Sequence, residues 1–397
     1  MKRCQLSDLV IPVDTWNPAR SGPEESFQYI DLSAIDQEGK SIVGAREVGC
    51  AEAPSRARQL VEAGDILVST VRPNLNGVAR VPDELDGATA STGFCVVRPK
   101  PESLDGSYLF HWVKSAEFIN DMVRKATGAS YPAVSDRIVL ASTIPLPSLA
   151  EQRRIAAILD QADALRTKRR EALALLDELQ RGIFVDMFGD PVANPKGWER
   201  VSFQSLLEEI EGGWSPNCLD RPAAHGEWGV LKLGAVTQCE YREAENKALP
   251  PDIEAVPALE VKPGDLLFSR KNTYDLVGAC ALVGSARPRL LIPDLIFRLR
   301  LREGAPIEKR FLHQLLVFPT KRKEIQKLAS GSSGSMPNIS KGRLSAASIE
   351  LPPLSLQQEF AKKLDAVAAQ KVACLDGLIA SNELVASLQH RAFRGEL

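Results

Sequence analysis

Two periodicities alternate along this chain. Residues 1–145 and 191–349 carry short β-branched or aromatic runs punctuated by Gly, Pro, Asn and Asp, the pattern of a mixed α/β globule. Each globule ends at a proline-bearing stop (Pro145 and Pro147; Pro352 and Pro353) followed by a long stretch at helical spacing. In the first stretch, Ile155, Ile158, Ala162, Leu165, Ala172, Leu176, Leu179 and Ile183 recur in the 3,4 alternation of a heptad seam, interrupted at Arg169. That spacing predicts a helix over 151–184, about 50 Å long at about 1.5 Å per residue. The second stretch predicts a helix over 357–393 with Phe360, Leu364, Val367, Leu378, Val385 and Leu388 on its apolar side.

Inside each globule the local signals are shorter. Gly64-Asp65 before Ile66-Leu67-Val68-Ser69 reads as a tight turn entering a buried strand. Residues 107–125 read as one helix burying Leu109, Trp112, Val113, Phe118 and Met122. Trp16 and Trp214, each two residues before a proline, suit core packing better than contact with a ligand.

The two halves repeat one another. Thr15-Trp16-Asn17-Pro18 matches Gly213-Trp214-Ser215-Pro216, and Tyr29 to Ile35 matches Val230 to Val236. Gly64-Asp65-Ile66-Leu67-Val68-Ser69 matches Gly264-Asp265-Leu266-Leu267-Phe268-Ser269, and Ile144 to Gln152 matches Ile349 to Gln357. The offsets stay between 198 and 205 residues and keep their order, as a tandem duplication with small loop insertions requires.

Connectivity then predicts how the helices pack. The second globule starts where the first helix ends, so the second helix must return toward the first globule, giving an antiparallel coiled coil and an approximate two-fold repeat. The apolar stripe is wider than a two-stranded seam needs. Leu173, Leu175, Leu176 and Leu179 crowd one helix, and Leu375, Leu378, Ile379 and Leu384 the other, a surplus that suits partner helices from another subunit. The run Lys168-Arg169-Arg170 reads as a solvated face.

Composition narrows the class without fixing the function. Of 397 residues, 44% are hydrophobic and 25% charged, as in a soluble globular protein too large for one core. No stretch approaches the ~18 consecutive apolar residues of a membrane span, and the N-terminus lacks the apolar core of a signal peptide. Seven scattered cysteines with no CxxC pair suit free thiols in the cytoplasm. A net charge of −2 argues against a histone-like polyanion binder, not against basic residues gathered on one face.

Several strings, in this order and duplicated, resemble those of type I restriction-modification specificity subunits. They are Ala53-Pro54-Ser55-Arg56-Ala57-Arg58, Gly64 to Asn74, Ser91-Thr92-Gly93-Phe94, Gly264 to Asn272, the Pro-Leu-Pro helix entry and the closing Arg391-Ala392-Phe393-Arg394-Gly395-Glu396-Leu397. The closing string resembles the family's own C-terminus, which implies an intact end. The resemblance implies an α+β chain with target-recognition domains at 1–145 and 191–349 and helical spacers at 146–190 and 350–397. It implies a non-catalytic subunit in which each globule reads half of a split target in double-stranded DNA. Two methyltransferase subunits and motor-nuclease restriction subunits are the implied partners. No cofactor is expected on this chain; S-adenosylmethionine, ATP and Mg²⁺ would serve the partners.

Base reading in the major groove calls for Arg or Lys against guanine, Asn or Gln against adenine, and adaptable hydroxyls. Two loops in each half offer that set. The first carries Ser69, Thr70, Arg72 and Asn74, with counterparts Ser269, Arg270, Lys271, Asn272, Thr273 and Tyr274. The second carries Thr127, Ser130 and Tyr131, with counterparts Ser332, Ser333, Ser335 and Asn338 and, nearby, Lys341 and Arg343. A helix of ~50 Å spans about one and a half turns of DNA, leaving roughly five to eight unread base pairs between the heads. Two other functions compete. One is a coiled-coil scaffold whose heads bind proteins; the other is a Mg²⁺ nuclease using Asp252 and Glu260 in a Pro-Asp…Glu-x-Lys pattern that the first half lacks. The four histidines have no metal-ligand spacing, and no nucleophile motif is present.

Overall fold

The computed structural model describes residues 1–22, 24–128, 130–330 and 336–397. The chain forms two compact units, Met1–Leu173 with Ala373–Leu397, and Ala174–Val372.

In the first unit, the strand Ile66–Ser69 sits between Phe94–Pro99 and Val78–Arg80 in a four-stranded antiparallel sheet completed by Val10–Ile11. Its side chains alternate between two cores. Ile66 and Val68 join the cluster of Tyr108, Leu109, Trp112 and Phe118, while Leu67 joins Ile30, Phe94 and Val96 on the other face. A strand buried on both faces has no polar alternation, which is why Ile-Leu-Val reads as a continuous apolar run. A second sheet, in the order Arg46–Gly49, Ser26–Ile30, Thr89–Ser91, Ala57–Leu60, has one parallel pair. Trp16 packs edge-on against Phe27 and donates its indole N–H to Thr89 Oγ1 at 2.9 Å, a structural role as expected.

The second unit repeats this construction. Leu266–Ser269 lies between Ile296–Leu301 and Cys280–Leu282, with Leu207–Gly212 on the outside. Leu266 and Phe268 face the cluster of Phe311, Leu312 and Phe360, and Leu267 faces Leu231, Val236 and Ile292. Gly229–Leu231 pairs in parallel with Leu290–Leu291, as Ser26–Ile30 does with Thr89–Ser91. Trp214 packs beside Val230 and Leu291.

The helix expected over 107–125 is two helices, Gly106–Val113 and Ala116–Lys125. Ser115 breaks it: its extended backbone starts a new helix, and its hydroxyl accepts from Phe118 N at 3.3 Å. The five residues expected inside are all buried.

Both long helices exceed their expected bounds, running Leu149–Phe188 and Leu354–Arg394. The ends of both helices are anchored in the globules. Ile155, Ala156 and Leu159 enter the first unit's core together with Ala392 and Phe393 of the second helix. Phe184, Met187 and Phe188 enter the second unit's core together with Phe360 and Leu364. Within the first unit the two helical segments run in opposite directions, since Ile155 shares a core with Phe393 while the Cys374 thiol donates to Arg169 O at 3.3 Å. Gly377 lies beneath Arg169, where a Cβ would collide with the guanidinium. Arg169 and Arg170 are half-buried, so only Lys168 of the basic run behaves as a solvated residue. The seam itself is incomplete: Leu165 is 43% and Leu179 50% exposed. Among the described residues, no helix is long and apolar enough to cross a membrane.

Candidate nucleic-acid interface

The Gly-Asp motif that opens each loop is held by a partner the sequence pattern does not advertise. Gly64 and Gly264 adopt φ of +89° and +85°, a conformation that suits glycine. The following Asp65 accepts from Glu62 N and from Nε and Nη2 of Arg98, each at 2.8 Å, while Arg98 Nη1 donates to the Glu62 carboxylate. Asp265 repeats the arrangement, accepting from Lys262 N and from Arg298, which also binds Glu211 and the carbonyls of Ala258 and Glu260. Hydrogen bonding to Asp65 raises the Arg98 pKa; for Arg298, burial opposes the charge, and Glu211 and Asp265 more than offset it. Arg98 and Arg298 stand 200 positions apart, so the duplication register was the signal that could have found them.

The two candidate loops of the first unit meet. Arg72 N donates to Pro132 O at 2.7 Å, Val134 N to Thr70 O at 2.9 Å, and Ala133 bridges to both Val71 and Thr127. Arg72 holds a left-handed backbone (φ +50°) and lays its guanidinium 4.6 Å from the ring centre of Tyr131, which is 67% exposed. Asn74, Thr127 and Ser130 are also exposed. Thr70 and Ser69 play a different part. The Thr70 hydroxyl is buried and donates to Gly93 O, and Ser69 Oγ donates to Val71 O, so both shape the loop from within.

The second unit brings its loops together in the same way. Ile339 N donates to Arg270 O at 2.8 Å, and Asn338 bridges to both Lys271 and Ser330. Arg270 is less free than Arg72: its Nε donates to Asn338 Oδ1 and its guanidinium lies 5.1 Å from the Phe297 ring centre. Ser269 and Asn272 are buried, the latter accepting from Thr273 N, and belong to the framework. Thr273, Tyr274, Lys341 and Arg343 are exposed, and Lys271 is half-exposed. Ser332, Ser333 and Ser335 lie outside the described residues.

A buried glutamine ties each long helix to its globule. Gln152 accepts from Asp105 N and donates to Ser103 O and Pro147 O; Gln357 accepts from Glu308 N and donates to Pro306 O and Pro352 O. Of the leucines expected to face a partner, Leu175, Leu179, Leu375, Ile379 and Leu384 are between 46% and 63% exposed, and Leu173, Leu176 and Leu378 are half-buried. The nuclease pattern does not assemble. The Glu260 carboxylate is taken by Arg289 N at 2.6 Å, and no cluster of three metal-ligating side chains occurs among the described residues.

Comparison with known proteins agrees with this architecture. The EcoEI specificity subunit of Escherichia coli is 36% identical over 168 residues, which cover 42% of this chain and 28% of that protein. The EcoKI specificity subunit of Escherichia coli K12 is 25% identical over 77% of this chain and 68% of its own length. This chain thus spans less than a third of the EcoEI subunit and about two thirds of the EcoKI subunit. A chain from a structure described as the basis of complex assembly and conformational transition of the type I R-M system superposes with a TM-score of 0.61. It is 28% identical, over 100% of this chain and 98% of that one. The S subunit of the type I system of M. genitalium, 12% identical with a TM-score of 0.55, shares the fold. The family model described as Type I restriction modification DNA specificity domain matches residues 58–175 and 294–381, a little over half of the chain. The chain belongs to the family of type I restriction-modification DNA specificity subunits.

Proposed function

We propose that this non-catalytic DNA-specificity subunit reads a bipartite target, one half with each unit, and carries the enzymes that act on it. The observation that supports this most is the repeated construction. Each unit has the same Gly-Asp turn clamped by a strand arginine, the same two loops joined edge to edge, and the same buried glutamine at its helix entry. Two similar frames presenting different exposed side chains suit the recognition of two different short sequences. Arg72, Asn74, Thr127, Ser130 and Tyr131 would face one half-target; Lys271, Thr273, Tyr274, Lys341 and Arg343 would face the other.

In this function the two long helices form an antiparallel coiled coil that sets the gap between half-targets. Because their end turns are sunk in the two cores, the extra length beyond ~50 Å does not lengthen the free span, and the expected gap stays at roughly five to eight base pairs. The exposed leucines would receive two methyltransferase subunits, which supply S-adenosylmethionine chemistry on adenine. Motor-nuclease subunits would bring ATP and Mg²⁺. This chain's own residues bind, orient and measure.

Methylome sequencing of a host carrying this chain with its methyltransferase subunit tests the proposal. A split motif with methyladenine in both halves, lost when this chain is deleted, is the expected result. A working methyltransferase that leaves no motif dependent on this chain would favour the scaffold function instead.

A further inference from the structure

The exposed loop of the second unit is held from behind by one short helix. Ser69 N donates to Gly77 O in the first unit and Ser269 N to Ala279 O in the second, so the second loop is two residues longer and has more conformations to lose. Thr273 O accepts from Leu276 N at 3.1 Å and from Val277 N at 2.9 Å, which folds Thr273, Tyr274 and Asp275 into one tight turn. All three residues are exposed, yet the carbonyls of Asp275 and Val277 point back into the protein. Gln326 Nε2 donates to Asp275 O at 3.1 Å and to Val277 O at 3.3 Å, so both of its amide hydrogens are spent on the loop. Arg322 Nη2 adds a second hold on Asp275 O at 3.2 Å.

The helix that supplies these donors, Pro319–Gln326, is itself anchored. Its Ile325 is buried in the core with Phe268 and Ile339, and Gly278 at the base of the loop lies against it, where a Cβ would meet Ile325 Cγ2 at 3.3 Å. The far end of Arg322 is fixed as well: Nη1 donates to Cys239 Sγ at 3.1 Å, and Cys239 O lies 3.1 Å from His313 Nε2. Counted from the helix starts Ala116 and Pro319, the first unit has Ile119 and Val123 where the second has Arg322 and Gln326, and neither offers a side-chain donor. There the end of the turn, Asn76 O, accepts from Lys40 Nζ instead. Each loop thus has its own brace. Asp275 is exposed, so water can take over its carbonyl when Gln326 is removed; the fold survives, and the direction of the turn is lost.

We propose that Gln326, assisted by Arg322, is a positioning residue for base recognition by the second unit, fixing the turn that presents Thr273 and Tyr274 to DNA. This rests on the second unit's reading of a half-target and adds to it a buried residue, 7% exposed, that acts only through the loop. Phosphate contacts hold a protein on the duplex, whereas base contacts discriminate by the placement of donors and acceptors. A turn free to tilt therefore keeps the DNA bound and loses its choice of base.

The test is the methylation rate of the full chain, assembled with its methyltransferase subunit, on a duplex bearing its methylation motif and on duplexes with one base changed in either half. Gln326→Glu keeps the shape of the side chain and turns its donors into acceptors facing two carbonyls. It should lower the preference for the correct base in the second unit's half by roughly tenfold, the scale of one well-placed base contact, and leave the preference in the other half unchanged. Gln326→Leu, which adds no charge, should do the same and carries the test if Gln326→Glu does not fold. In a chain already carrying Thr273→Ala and Tyr274→Ala, either substitution should change nothing further, because all act through one turn. An unchanged preference in the second half, an equal loss in both halves, or a full additional loss in the triple variant would overturn the proposal. If Thr273→Ala with Tyr274→Ala itself leaves the second half's preference intact, the reading role of the turn fails and the positioning role with it.

Discussion

At the scale of single residues, the Arg298 clamp gathers more buried partners than any other charged group described above. Arg298 is 2% exposed and satisfies two carboxylates and two carbonyls at once. Arg298→Ala leaves Asp265 without its cation while Glu211 keeps Arg300, and loss of one partner from such a pair costs about 3–5 kcal/mol. Urea denaturation should show that loss in the second unit, and a change below ~1 kcal/mol would mean water replaces the guanidinium. His111 gives the first unit a pH dependence. It is 1% exposed, its Nε2 hydrogen bonds Asp160 Oδ1 at 2.7 Å, and burial lowers its pKa below 6.5. Below 6.5 the unfolded chain binds the proton that the folded imidazole resists, so stability is present above that pH and drains away as pH falls. Melting temperatures measured between about pH 5 and 8 should fall more steeply on the acid side for wild type than for His111→Gln. Parallel curves would remove His111 as the cause. Little of this was legible beforehand. The Gly-Asp turn announces itself through residue types that only turns favour, whereas a strand arginine resembles a solvent-facing residue until its buried partner is located.

At the scale of elements, hydrophobic spacing located the long helices but misplaced their ends and broke down within residues 107–125. Apolar periodicity runs straight through Ser115, and only the cap on Phe118 N shows that two helices meet there. The Lys168-Arg169-Arg170 run resisted interpretation because charge alone does not reveal that Arg169 has a glycine to lie upon. Gly377 costs the second long helix about 1 kcal/mol relative to alanine, so a gain in propensity alone would make Gly377→Ala stabilising. A methyl group there meets only the Arg169 guanidinium, the far end of a flexible side chain that can shift aside. Thermal denaturation should therefore show Gly377→Ala at least as stable as wild type, and a less stable variant would mean that the guanidinium is held in place. The helices also carry the spacing prediction. Removing one matched turn from both should shorten the gap that the methyltransferase assembly tolerates, and an unchanged gap preference would refute their role as a ruler.

At the scale of the whole molecule, the tandem duplication was readable from four short matches in order, because buried turns and helix entries constrain residue type in both copies alike. The loops between them were not readable to the same degree. Their members divide into framework and exposed groups only once the fold is known: Thr70, Ser269 and Asn272 turn inward while Arg72, Tyr131, Thr273 and Tyr274 face outward. The central claim is that each unit reads its own half-target. Its most direct test is to compare methylomes of hosts carrying wild type, Arg72→Ala with Tyr131→Ala, and Thr273→Ala with Tyr274→Ala. Each pair of substitutions should relax or alter bases in one half of the motif, a different half for each pair, and leave the other half and the gap intact. Loss spread equally over both halves in either variant would contradict the claim.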